Sequence, residues 1–249
     1  MKQLLFFLIG WAGFQILGLI VSLFVASVVR ASNPGASGDE LNQILNGVGP
    51  NFAVTGITYL VLGLVLFILI LTSHRLKDLG NSFTHWRTLG FAVLGFVVIF
   101  VFQLVYSYLA DFIFKQAGIK PSSNNNELTL NAMTLYNPAL SLLVFGILGP
   151  FCEEMTYRVG LFGLLSRLGK ALAYIIGALV FGFIHFGFDI LFSGDVEAII
   201  VELVNIPNYV VAGLILSFIY DKAGFGASYS VHALNNIFSL ILTLIGSEQ

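Results

Sequence analysis

Charge is what this chain has least of. Only 10% of its 249 residues are Asp, Glu, Lys or Arg, where a soluble domain carries about 25%. The net charge of −2 gives no basic field of the kind that binds nucleic acid. A single cysteine, Cys152, excludes an internal disulfide and a cysteine-based metal cluster. The His-Glu-x-x-His helix of common zinc proteases is absent. So is the alternating short-strand pattern of an outer-membrane barrel. No pair of matching, Gly/Pro-broken halves appears, which counts against an inverted-repeat transporter.

Apolar residues fill the space. They make up 57% of the chain, with 24 Phe, 26 Gly and a mean hydropathy of +0.93. That composition implies an all-α, polytopic transmembrane helical bundle, a single integral membrane domain over residues 1–249. About seven spans are expected, near 4–29, 52–72, 88–114, 139–165, 171–192, 198–220 and 226–246. Each is long enough to cross ~30 Å at ~1.5 Å per residue. The first run, of about 26 residues, exceeds the ~7–15 of a signal-peptide core and reads as a retained span.

The connections carry turn signals. Asn33-Pro34-Gly35 and Gly49-Pro50 mark the first. The stretch from Lys115 to Pro138 holds the polar run 122–126 and reads as a mobile loop. Loop cations set orientation. Lys2, Arg75, Lys77, Arg87, Arg167, Lys170 and Lys222 fall on one side, and Arg30, Lys115 and Lys120 on the other. The richer side is expected to be cytoplasmic, giving N-terminus in and C-terminus out.

Against this background Glu153, Glu154 and Arg158 stand out, because they lie inside the fourth span. Each charge at mid-bilayer costs about 2.5–3.5 kcal/mol, and three without partners roughly 8–10 kcal/mol. Ionisable groups retained at such a cost are functional candidates. Successive helical residues point ~100° apart, so the two glutamates face differently. Glu154 can pair with Arg158 at i+4. Glu153 has no such local cation and is free to act as a general base or acid. Gly149-Pro150 precedes the pair and predicts a kink there.

His185 follows Phe181 at i+4 on the fifth span, at a depth like that of Glu153. His232 and Asn236 share a face of the last span, and both can donate to a developing oxyanion. His232 is expected nearer the cytoplasmic surface, so the last helix must tilt or shift for the groups to meet. One carboxylate, two histidines and an asparagine form a water-activating set for amide hydrolysis. Glu153, His185 and His232 are equally a plausible zinc ligand set, and the residues do not choose between the two.

Other polar groups have blander readings. Cys152 adjoins Glu153, but its apolar setting favours packing. His74 and His85 accompany the cations of one cytoplasmic loop. Asp189, Asp195 and Glu197 suit a solvated loop, and Asp111 and Glu202 suit span ends.

The patterns Glu153-Glu154-x-x-x-Arg158, Phe181-x-x-x-His185 and His232-x-x-x-Asn236 resemble the three signature motifs of the CAAX-protease and bacteriocin-processing (Abi) family. Their order and spacing match, over roughly 139–246, the expected catalytic core. The resemblance implies an intramembrane endopeptidase acting on a membrane-associated or lipidated peptide within the bilayer. In it Glu153 would activate water with His185, and His232 with Asn236 would form the oxyanion site. Glu154 and Arg158 would support them. The family has been treated as metal-dependent and as metal-free, which leaves a divalent metal such as zinc open. Its bacterial members are linked to peptide maturation and bacteriocin self-immunity. Two other classes fit the residues less well: a non-catalytic immunity or scaffold protein, and a proton-coupled transporter with a Glu153–His185 relay.

Overall fold

The computed structural model describes residues 2–247, and they form an all-α bundle with no strand among them. Ten helices follow in order. They are α1 (Lys2–Ser32), α2 (Gly38–Leu45), α3 (Val48–Thr72), α4 (Leu76–Asn81) and α5 (Trp86–Ala117). After them come α6 (Asn125–Tyr136), α7 (Pro138–Leu165), α8 (Lys170–Phe183), α9 (Val196–Ala223) and α10 (Phe225–Gly246). Six of them, α1, α3, α5, α7, α9 and α10, are long and apolar enough to cross a membrane. The chain is an integral membrane protein.

The expected span 171–192 is corrected. Helix α8 has only 14 residues, about 21 Å at ~1.5 Å per residue and short of ~30 Å. It stops at Phe183, and a turn carries His185 before a 3-10 segment, Phe188–Phe192. Two buried polar side chains, one accepting and one donating, explain the stop. Glu202 takes the Gly187 N–H (3.1 Å), and the Asn124 amide donates to the His185 carbonyl (3.3 Å). Non-helical backbone at membrane depth persists where protein satisfies it in this way.

The expected mobile loop 115–138 is also corrected, because half of it is α6. Asn124 caps this helix by accepting the Glu127 N–H (3.0 Å), and Asn137 caps α7 through Leu140, with Pro138 at the first turn. The polar run 122–126 is thus a helix start rather than a disordered stretch.

Helix α7 is the centre of the bundle. It continues through Pro150, with π-helical turns on either side, Val144–Leu148 and Glu154–Phe162. The predicted kink is taken up as these wider turns, which often mark functional sites. All nine residues of the second are buried. Close packing against α1 depends on Gly160, where a Cβ would fall 2.6 Å from the Phe7 nitrogen.

The two ends of the bundle differ. At one, Lys2 Nζ donates to the Ser73 carbonyl (2.9 Å), Arg167 to Gln3 (2.7 Å), and Lys170 pairs with Asp221 (2.7 Å). At the other, Tyr136 of α6 packs on Phe52 of α3, and Thr243 of α10 donates to Asn131 (2.8 Å). The seven cations expected on one side belong to the connections at the first end.

Candidate active site

Residues from eight helices line a cavity of about 520 Å³ that reaches from mid-bundle to α6. Glu153 of α7, His185 after α8, and His232 with Asn236 of α10 all face it, so the four predicted groups share one pocket. The shift required of α10 comes from its start. The α4–α5 connection covers it: Gly226 donates to Ser82 Oγ (2.8 Å), and a Cβ at 226 would lie 2.8 Å from the Ser82 carbonyl. Residues 225–228 are buried. Helix α10 therefore begins below the surface, which places His232 at the depth of the glutamates.

The glutamates separate as their helical phase requires. Glu154 is fully buried, and its Oε1 lies 3.4 Å from Arg158 Nη2 and 3.0 Å from His232 Nδ1. Arg158 is also fully buried, with Cζ 4.4 Å above the Phe181 ring. Cation–π attraction supplements the ion pair there. Glu153 faces the other way. Its Oε1 accepts from the Tyr59 hydroxyl (3.1 Å), while its Oε2 has no hydrogen-bond partner among the described residues. His232 Nε2 is 3.6 Å from that oxygen, past hydrogen-bond range.

The histidines are oriented from behind. His185 Nδ1 is 2.8 Å from the Phe181 carbonyl. A carbonyl only accepts, so Nδ1 carries the proton and Nε2 keeps a lone pair. The His185 ring stacks on Tyr209, 4.2 Å between centroids and 10° between planes. Phe181 separates the two imidazoles, 5.0 Å from His185 and 5.7 Å from His232. Asn236 gives one amide hydrogen to the Phe145 carbonyl (3.0 Å), which leaves its second for the cavity.

The three candidate zinc ligands line the same cavity but are not gathered as a ligand set. Among the described residues no three of His, Cys, Asp and Glu come together in metal-binding geometry. His185 Nδ1 is engaged by backbone, and His232 Nδ1 by Glu154. Cys152 is buried, with its Sγ 3.6 Å from the Tyr59 carbonyl, in keeping with packing.

Sequence reasoning missed several groups. Glu202 is no span end. It is 2% exposed inside α9 and accepts from both the Asn125 N–H (2.7 Å) and the Gly187 N–H (3.1 Å). One carboxylate thus clasps the start of α6 to the turn that holds His185. Tyr59 and Tyr209 were missed because a tyrosine in an apolar run looks like packing. Gln103, Asn205 and Asn208 also line the cavity, and lone carboxamides in spans were the available signal.

Residues 135–238 match the family model described as type II CAAX prenyl endopeptidase Rce1-like. All three motifs fall inside that stretch. The UPF0177 protein YvdC of Lactococcus lactis subsp. lactis (strain IL1403) is 25% identical over 154 residues, 61% of this chain and 52% of its own. The chain thus spans about half the length of that relative. No solved structure matches the chain.

Proposed function

We propose that this chain, a member of the Rce1-like type II CAAX prenyl endopeptidase family through residues 135–238, is an intramembrane endopeptidase. It hydrolyses an amide bond in a membrane-associated peptide. One observation carries the reading. Glu153 has one carboxylate oxygen fixed by Tyr59 and the other unpaired, beside a polar cavity in the middle of an apolar bundle. A carboxylate left so is costly unless it works.

In this reading a water molecule sits between Glu153 Oε2 and His185 Nε2. Glu153 takes its proton as the oxygen attacks the carbonyl carbon. The carbonyl π electrons move onto oxygen, and the resulting oxyanion accepts from Asn236 Nδ2–H and from His232 in its imidazolium form. Glu154, held by Arg158, keeps the His232 ring in place through Nδ1. Glu153 then returns the proton to the leaving nitrogen as the carbon–nitrogen bond breaks. A divalent metal, if bound, would be held by Glu153, His185 and His232 and would supply Lewis-acid chemistry, and metal analysis of the purified protein tests for it. The cation-rich end is taken as cytoplasmic, giving N-terminus in and C-terminus out. Maturation of a bacteriocin, or immunity to one, fits a peptide substrate.

The test is a comparison of membrane peptides from cells carrying the parent chain and Glu153→Gln. The parent is expected to yield cleaved fragments whose intact precursor accumulates in the variant. Identical peptide sets would sink the assignment.

A further inference from the structure

The route out of the site is polar on one side and blocked on the other. Towards the cation-rich end an aromatic plug closes the bundle. Phe225 stacks on Tyr229, 5.7 Å between centroids and 10° between planes. Phe83 and Phe151 meet Phe225 edge-on at 6.0 and 6.4 Å. The Ser82–Gly226 contact seals the same level, and Thr88 Oγ1 donates to the Ser82 carbonyl beside it. Apolar side chains of α1, α3 and α7 (Phe6, Leu66, Ile70 and Val159) fill the remainder.

Towards the opposite end the cavity continues. It passes Asn208 and Asn205 of α9 and reaches Asn126 and Thr129 of α6, both of which are exposed. The path is lined by amides and hydroxyls, which match the donors and acceptors of an extended peptide backbone. Its mouth lies at the end that carries Arg30, Lys115 and Lys120, while the seven other loop cations lie at the sealed end. Short loops rich in Lys and Arg stay in the cytoplasm. Cation bias and cavity direction are independent observations, and together they bear on which compartment supplies the substrate.

We infer that the cavity opens on the extracytoplasmic face, so that the substrate is a peptide segment presented at the outer surface of the membrane and not a cytoplasmic lipidated tail. This deepens the peptidase reading and rests on it for the word substrate. The direction of the mouth stands without it.

The test uses single added cysteines and a membrane-impermeant maleimide on intact cells. Native Cys152 is buried, so the parent chain is the unlabelled control. Thr129→Cys, at the mouth, is expected to react in intact cells. Asn81→Cys, exposed on α4 at the sealed end, is expected to react only after permeabilisation. The reverse pattern, or equal labelling of both in intact cells, overturns the inference. A second arm adds synthetic peptides, chosen from the fragments found in the membrane comparison, to right-side-out and inverted vesicles of the parent chain. Cleavage is expected in right-side-out vesicles and lost in Glu153→Gln. Cleavage confined to inverted vesicles also overturns the inference. If labelling follows the expected pattern and no peptide is cut in either orientation, the peptidase reading fails while the outward mouth stands.

Discussion

Helices α5 and α7 are both long, apolar and able to cross a bilayer, yet they do opposite jobs. In its most apolar stretch α7 has 50% of its residues buried against protein, and α5 only 22%. Outward residues of α5, such as Val105 and Tyr108, are 63% and 71% exposed and face lipid. The corresponding surface of α7 is wrapped by α1, α3, α8 and α10, and its ionisable groups point into that wrapping. Lipid tolerates almost any apolar side chain, so α5 is under weak constraint. Around α7 an added methyl group at Gly146 or Gly160 would collide with Ile237 or Phe7. Apolarity marks where a chain crosses the membrane, and the few polar residues mark where it works.

Substitutions can sharpen or break that contrast. The largest effect is expected for Arg158→Leu, which leaves the Glu154 carboxylate buried without its cation. Loss of one partner of a buried ion pair costs about 3–5 kcal/mol. Denaturation in detergent should show that loss, and unchanged stability would mean that the pair holds nothing together. Next comes Asn236→Ala. Removal of one oxyanion donor lowers kcat by about 10²-fold or more, and KM should change little. An effect on KM alone would move Asn236 from the reacting oxygen to substrate binding.

The Glu202 clasp ranks third. Glu202→Gln keeps the size but leaves one acceptor oxygen for two backbone donors. A lost hydrogen bond to a charged group is worth about 1.5–3 kcal/mol, so cleavage should fall roughly tenfold. Amide exchange at 124–128 and 184–188 should quicken together. Faster exchange in only one segment would show that α6 and the His185 turn are not joined through Glu202. The smallest effect belongs to α5. Val105→Ala on the lipid face should change stability by less than about 0.5 kcal/mol. A change as large as that of Arg158→Leu would erase the distinction between the two helices.

Much of this arrangement was legible in the sequence. The bundle followed from the apolar runs, and the pairing of Glu154 with Arg158 from helical spacing alone. The similar depth of Glu153 and His185 followed from their places in the spans, while their meeting with His232 and Asn236 was implied by the motif order and required a shift of the last helix. What was not legible depended on tertiary hydrogen bonds. Helix α8 ends early because Asn124 and Glu202, from distant segments, satisfy the turn after it. The run 122–126 has loop composition, yet Asn124 and Glu202 make it a helix start. A periodic pattern records which face is apolar and carries no trace of a partner some 80 residues away. The depth of α10 was hidden for the same reason, since it depends on the fit of Gly226 against Ser82.

The account rests on the Glu153 carboxylate as the group that activates water. The most direct measurement is the initial rate of peptide cleavage by purified protein in liposomes, parent against Glu153→Gln at matched folding. Loss of a positioned general base is worth about 10²–10⁴-fold, so a fall of roughly 10³-fold is predicted, with the thermal midpoint preserved. Equal rates from the two proteins would contradict it.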